Sequence, residues 1–447
     1  MKKLTALIIT MGVIIGMTGC SSNGTKAINN SVTNPIQSKD SNLEKADVIN
    51  AAVSPVYPKS IAFGDYDGWF SVKKDNKLED SFSNSLKDFS NKSTSLLLKN
   101  QTKNISYSPV SLYMALSLAS SGATGATQEE MLKALNAGDK KTDFISEQNG
   151  KLFRLLYTNN DIGKLNLANS LWLNKGNNFK KSFLDNASKN FYASIFNIDF
   201  KDQNSSKLMS DWISKNTNGI LTPQINFGKE QIMSIINTIY FKDQWADKFD
   251  VKATKKDTFY LKNGDEVKCD FMNRTYVTHS FIKGDGFTSS TLSLKNSNSM
   301  IFILPDKGIS ADSLLESPEK VATLFDEKDI KNGKVIFQIP KFSYGSSLSL
   351  KETLNCLGIK KAFEKTADFS GITEGTAFIS DIKQETHVAI DEKGVEAAAF
   401  TQIDYSGSAP PKDEKAEMIL NRPFIYAIKG STGDILFVGV VNNPNEK

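Results

Sequence analysis

Histidine is nearly missing from this chain: His279 and His387 are the only two in 447 residues. Cysteine is almost as scarce, with Cys20, Cys269 and Cys356. That supply is too small for a His/Cys zinc site or a zinc ribbon, so no metal or cofactor is expected. HExxH, GxSxG, GxGxxG and GxxxxGK[ST] do not occur. Their absence removes the common zinc-peptidase, hydrolase and nucleotide-binding signatures. Charge of one sign is also lacking, since 54 Lys+Arg against 50 Asp+Glu leave a formal +4. No dense basic block stands out, and no nucleic-acid partner is expected. Ser71-Val-Lys-Lys74 has the SxxK spacing of penicillin-binding enzymes, but so does Ser317-Pro-Glu-Lys320, and no SDN lies between them. The chain is not expected to be an enzyme.

Long apolar runs are absent except at the start, where MKK precedes LTALIITMGVIIGM and then TGC. A basic start, a short apolar core and small residues before a cut site describe an export signal. The run is too short for a comfortable membrane span. Met17-Thr18-Gly19-Cys20 resembles the lipobox of bacterial lipoproteins. That likeness implies a signal peptide over 1–19 and a lipidated Cys20 as the mature N-terminus. Several acyl chains on one cysteine anchor firmly, whereas one alone binds only marginally. The expected location is extracytoplasmic and anchored to the bacterial cell membrane, with release to the outside left open. Nothing in the spacing of Cys269 and Cys356 pairs them, and two buried free thiols are expected.

What is present is core-forming material: 39% of residues are apolar and 10% aromatic, enough for a sizeable interior. Residues 20–75 are rich in Asn, Ser, Lys and Pro and read as a flexible tether reaching roughly 40 Å on average. Phe63-Gly-Asp-Tyr-Asp-Gly-Trp-Phe70 is more aromatic than a linker and suits docking on the folded part. From there the chain reads as one domain over 76–447. Phe82, Leu86 and Phe89 have helical spacing. Ser108-Pro109 opens a second helix. FLDNASKNFYA and KLMSDWISKNTNG read as helices, and SLWLNK and SIINTIYFKDQW as strands. Strands dominate after residue 250. Helices first and antiparallel-looking strands later indicate α+β.

Several short stretches then combine into a family likeness. Asn104-Ile-Ser-Tyr-Ser-Pro-Val-Ser111, Asn237-Thr-Ile-Tyr-Phe-Lys-Asp-Gln-Trp245, Leu304-Pro305 and Ile339-Pro-Lys-Phe342 come first. Gln384, Asp391-Glu-Lys-Gly-Val-Glu-Ala-Ala-Ala399, Leu420-Asn-Arg-Pro-Phe424, Thr432-Gly-Asp-Ile-Leu-Phe-Val-Gly439 and Asn443-Pro444 follow in order. Over about 78–444 the chain resembles a serpin. The resemblance implies a single large α+β domain with three β-sheets, eight or nine helices and an exposed reactive-centre loop over about 392–415.

The strip Glu392, Gly394, Val395, Glu396, Ala397, Ala398 and Ala399 would be the hinge of that loop. As a strand, 395–405 sorts into two faces. Val395, Ala397, Ala399, Thr401, Ile403 and Tyr405 form one, small at its start and suited to a core. Glu396, Ala398, Phe400, Gln402 and Asp404 form the other, suited to solvent. Gly394 supplies a pivot. The resemblance implies that a target protease attacks the loop and forms an acyl-enzyme. Residues 395–405 then insert into the central sheet and trap it. The family places the attacked bond at Ser408–Ala409, sixteen residues beyond Glu392; a slip of one gives Gly407–Ser408. A small residue there favours an elastase-like or subtilisin-like serine protease. Trp245 is expected where the loop enters the sheet. Ser108, Ser111, Asn237 and Gln384 are expected as a polar cluster controlling its opening. His387 falls on the opposite strand face, with Glu385. The chain is expected to act as a monomer. The alternative is a serpin fold without inhibition, serving as a surface binding or structural protein.

Overall fold

The computed structural model describes residues 51–228, 231–380, 382–395 and 414–446. The signal segment 1–19, Cys20 and residues 396–413 lie outside the described residues. No helix among those described is long and apolar enough to cross a membrane.

Local rules account for the first helices. Asp80–Leu98 buries Phe82, Leu86 and Phe89 along one stripe, as i, i+4, i+7 spacing requires. In Pro109–Ser121 the Ser108 side chain accepts from the Ser111 amide at 3.2 Å, and Pro109 occupies the first turn. Eleven of its thirteen residues are buried, so it is a core helix wrapped on all sides. Ten α-helices occur among the described residues, the shortest being the single turn Ala311–Leu314.

The strands form two hydrogen-bonded networks. The eight-stranded one runs Ala51–Val53, Ala193–Ile198, Lys164–Asn174, Met233–Gln244, Gly394–Val395, Lys383–Asp391, Phe342–Ser349, with Thr158–Asn159 paired to Lys164–Asn174. The nine-stranded one is threaded by the nineteen-residue strand Glu266–Gly284. Its first part pairs with Lys255–Tyr260 and Lys331–Pro340, and its end pairs with Phe287–Ser293. One strand therefore serves two sheet regions, giving three in all within one α+β domain.

Alternation along Lys164–Asn174 places the eight-stranded sheet between two apolar layers. Leu165, Leu167, Leu171 and Leu173 join the main core. Ala168 and Trp172 turn to the other side, where Met209, Trp212 and Ile213 of the helix Gln203–Asn216 cover them.

The tether expectation for 20–75 needs correction from residue 51 onward. Ala51–Val53 extends the sheet edge, antiparallel to Ala193–Ile198. Tyr57 packs against Phe153, Tyr157 and Tyr192 at ring distances of 6.0, 5.9 and 6.2 Å. Burial pushes its phenol up to about 12. Asp65 accepts from the Gly68 amide at 2.9 Å and so caps the helix Tyr66–Asp75. Aromatic side chains supply the contact area that the polar average composition concealed. A second correction concerns the thiols. Cys269 and Cys356 are both free, and Cys269 is buried as expected, but Cys356 is exposed. It ends the short helix Lys351–Cys356, whose buried residue is Leu354.

Candidate functional site

Gly394 and Val395 form a two-residue strand lying between Met233–Gln244 and Lys383–Asp391, antiparallel to both. Gly394 faces Gln244 and Asp391, and Val395 faces Asp243 and Ile390. Among the described residues the two long strands share no ladder of their own, so the hydrogen-bonded link between the two halves of the sheet runs through this pair. The chain reverses just before it. Asp391 Oδ1 accepts from the amides of Lys393 at 2.8 Å and Gly394 at 3.2 Å, an Asx turn. Glycine at 394 also has a steric reason. A Cβ there would overlap the Asp243 carbonyl oxygen and stand 2.7 Å from Gln244 Cα.

The reversal is clamped from one side by Trp245, which is 1% exposed. Its indole Nε1 donates to the Asp391 carbonyl at 2.8 Å, and its amide donates to Lys393 O at 3.0 Å. The Phe249 amide reaches Glu392 O at 3.0 Å. From the other side Glu392 accepts from Thr254 Oγ1 at 2.8 Å and pairs with Lys341 Nζ at 3.0 Å. Burial raises the Glu392 carboxyl, but hydrogen bonds from Thr254, its own amide and Lys341 outweigh that and hold it below the usual range.

Opposite Val395 sits a buried acid that sequence reasoning missed. Asp243 is fully buried. It accepts from the side chain of Asn298 at 2.9 Å, the side chain and amide of Asn296 at 3.0 and 3.2 Å, and the Gln244 amide at 2.9 Å. Burial pushes its carboxyl up to about 6 against those four donors. No local pattern announces this group, because Asn296 and Asn298 reach it across more than fifty residues.

The expected polar cluster is brought together in part. Gln384 accepts from the Ser108 amide at 2.7 Å and donates to Ser108 O at 3.1 Å. It thereby joins the start of Pro109–Ser121 to the strand Lys383–Asp391. Ser111 is linked through its amide to Ser108. Asn237 is not in this bonded set: its side chain donates to Asn169 at 2.6 Å, and Asn169 donates to Phe191 O at 2.6 Å. Asn237 Oδ1, Thr238 Oγ1 and Ser111 Oγ are buried without a hydrogen-bond partner among the described residues. A second set, Ser106 and Thr386, was not anticipated; their hydroxyls lie 2.9 Å apart. The alternation that carries Gln384 inward also carries Thr386 inward, and that was the available signal.

His387 points away from the core, as expected from its parity, and meets Ser343 Oγ at 3.2 Å. Ser317 is a helix cap for Pro318–Leu324, accepting from the Lys320 amide at 3.3 Å. Its SxxK spacing thus reflects capping. Glu396, Ala397, Ala398, Ala399, Gly407, Ser408 and Ala409 lie outside the described residues.

Comparison with known proteins agrees with this geometry. A family model described as serpin (serine protease inhibitor) matches residues 84–444. The chain is 33% identical over 363 residues to a serine protease inhibitor of Mus musculus, covering 78% of this chain and 85% of that protein. Its structure is similar to that of tengpin, a thermophilic serpin, in the native state. There the TM-score is 0.74 at 28% identity, over 89% of this chain and 98% of the other. Human thyroxine-binding globulin is also similar, with a TM-score of 0.71 at 26% identity, over 80% and 99% of the two chains. A match over residues 84–444, on a sheet in which Gly394–Val395 lies between two long strands, identifies the chain as a member of the serpin family of serine protease inhibitors.

Proposed function

We propose that the protein is a cell-surface inhibitor of serine proteases that works as a suicide substrate. A target attacks Ser408–Ala409, or Gly407–Ser408 one residue earlier, and forms an acyl-enzyme. Residues 395–405 then enter the eight-stranded sheet before water can release the enzyme. Loop insertion in this family is an established instance of strand addition.

The observation that carries this reading is the register at the hinge. Gly394 faces Gln244 and Val395 faces Asp243. In an antiparallel pair, each step along the loop is one step back along its partner. Continued unchanged, that register sets Tyr405 opposite Met233, the first residue of the twelve-residue strand Met233–Gln244. The segment 394–405 therefore matches its partner end to end.

Parity agrees with length. Ala397, Ala399, Ile403 and Tyr405 would face Phe241, Ile239, Ile235 and Met233, all within or against the main core. Val395, already in place, is 2% exposed. Phe400 would face Thr238, whose partner Ala168 lies on the side covered by Gln203–Asn216. That side is roofed by a helix, not open to solvent as the alternation alone implied. Phe400 must then pack against the helix or displace it.

Phe400 is also the feature that favours the second reading, a serpin fold that does not inhibit and acts as a surface binding protein. One experiment separates the two. The chain is incubated with elastase, subtilisin, chymotrypsin and trypsin, and the released peptide is sized by mass spectrometry. An SDS-stable complex with elastase or subtilisin, and a large rise in thermal midpoint after loop cleavage, are expected. Cleavage with neither result would overturn inhibition. Val395→Arg should convert the inhibitor into a substrate, since a charge would be forced into the core. Attachment to the membrane through Cys20 is tested by acyl labelling of the chain and of Cys20→Ala.

A further inference from the structure

We propose that the aromatic face of the docked N-terminal segment is a bilayer-contact surface for anionic phospholipid. Eleven large apolar or aromatic side chains are exposed among the described residues, and five of them, Val53, Val56, Phe63, Tyr66 and Phe70, fall within eighteen residues. Phe63 is 48%, Tyr66 72% and Phe70 61% exposed. Phe63, Tyr66 and Phe70 all border one cleft, and such a cluster marks a contact surface.

The helix Tyr66–Asp75 gives the patch its geometry. It buries no residue completely. Gly68, Trp69 and Val72 form its half-buried side, while Tyr66, Phe70, Lys73 and Lys74 are exposed. Those four lie on one stripe by i, i+4, i+7 and i+8 spacing, and Lys77 continues it just beyond the helix. Lys73 Nζ stands 4.9 Å over the Trp69 ring. Beside the helix runs a cleft of about 500 Å³ whose walls include Phe63, Trp69, Phe70, Lys73 and Lys295. Aromatic rings at headgroup depth with lysines around them are the composition of a segment lying in a membrane interface. The lysines complement anionic headgroups. Of the acidic neighbours, Asp65 is the exposed helix cap, Asp75 accepts from Ser71, and exposed Asp67 borders the stripe beside Lys74, so Lys73, Lys74 and Lys77 outnumber the one carboxylate along it.

The lead-in favours a bilayer over a second protein. On the reading that Cys20 is acylated, the anchor lies 31 residues before Ala51 in the sequence, so a bilayer is already the chain's partner. That point rests on lipidation; the composition of the surface does not.

The test uses the mature chain from residue 20 with Cys20→Ala, so that neither the signal segment nor an acyl group contributes. It is sedimented with vesicles of phosphatidylglycerol and phosphatidylethanolamine, and with vesicles of phosphatidylcholine alone. Binding to the anionic vesicles is expected, weakened by salt, with little binding to phosphatidylcholine. Phe70→Ser with Tyr66→Ser should reduce the partition coefficient about tenfold. Lys73→Glu with Lys74→Glu and Lys77→Glu should do so for anionic vesicles only. All five positions are exposed, so an unchanged thermal midpoint confirms folding. No binding to anionic vesicles, or binding indifferent to these substitutions, overturns the proposal. A concentration-dependent dimer abolished by Phe70→Ser would assign the face to self-association and overturn it too. Acyl labelling at Cys20 is read separately, so failure of either idea leaves the other standing.

Discussion

Gly394 and Asp243 lie so close across the ladder that no side chain fits between them. Gly394→Val should therefore push the two-residue strand out of the sheet. The expected cost is about 1–3 kcal/mol, the range for overpacking a close contact. Amide hydrogen exchange at 394–395 should rise, and the yield of protease complex should fall. Unchanged exchange would mean that the backbone gives way without cost.

The acid opposite Val395 gives a pH prediction. The folded Asp243 carboxyl sits at about 6, against about 3.9 for an unfolded aspartate. The folded state thus holds this proton more tightly. The stabilisation is complete below about pH 4 and is lost as pH rises through about 6, roughly 3 kcal/mol in all. Asp243→Asn removes the titration, so its thermal midpoint should vary less between pH 4 and 7 than that of the parent. Asp434, raised to about 6 by burial, contributes with the same sign and remains in the variant. Glu392 acts oppositely, since its carboxyl is held low. Its contribution is present above the unfolded value and fades as pH falls through the folded one. An identical pH slope in parent and Asp243→Asn would show that the buried carboxyl does not titrate here.

Gln384 closes two hydrogen bonds on Ser108. Gln384→Ala leaves a buried amide and a buried carbonyl without that partner, at a cost of roughly 1–3 kcal/mol. Denaturant unfolding should show the loss as a lower midpoint with an unchanged slope.

Tyr57 tests whether the N-terminal segment is part of the fold. Tyr57→Ala removes three ring contacts and should cost about 2 kcal/mol. A thermal midpoint equal to that of the parent would return the segment to the status of a tether.

The sequence showed most where chemistry is local. Ser108-Pro109 specified a helix start, Phe82, Leu86 and Phe89 specified a stripe, and alternation separated Gln384 from His387. Thr142–Leu156 escaped because polar residues share its buried face. Gln148, Asn149 and Ser146 are buried there, and Gln148 accepts from the Glu79 amide at 2.9 Å. Those groups blur the apolar stripe while satisfying real partners. Gly394 and Val395 stand out in the sequence at the start of a run of small residues, but the frame around them does not. Thr254, Lys341 and Trp245 meet Asp391 and Glu392 across 51 to 146 residues. Asn237 shows the limit of analogy: its strand was foreseen, but it bonds Asn169 and not the expected Ser108, Ser111 and Gln384.

A sheet whose halves are joined at the centre by two residues also keeps time. If 395–405 pair as their register allows, the molecule with a complete sheet is the deeper state, and the one assembled first is held above it by a barrier. Its useful lifetime is then a rate, set by how often the strands beside Gly394 part unprompted. Warming would shorten that lifetime steeply, even at temperatures where the fold as a whole shows no sign of melting.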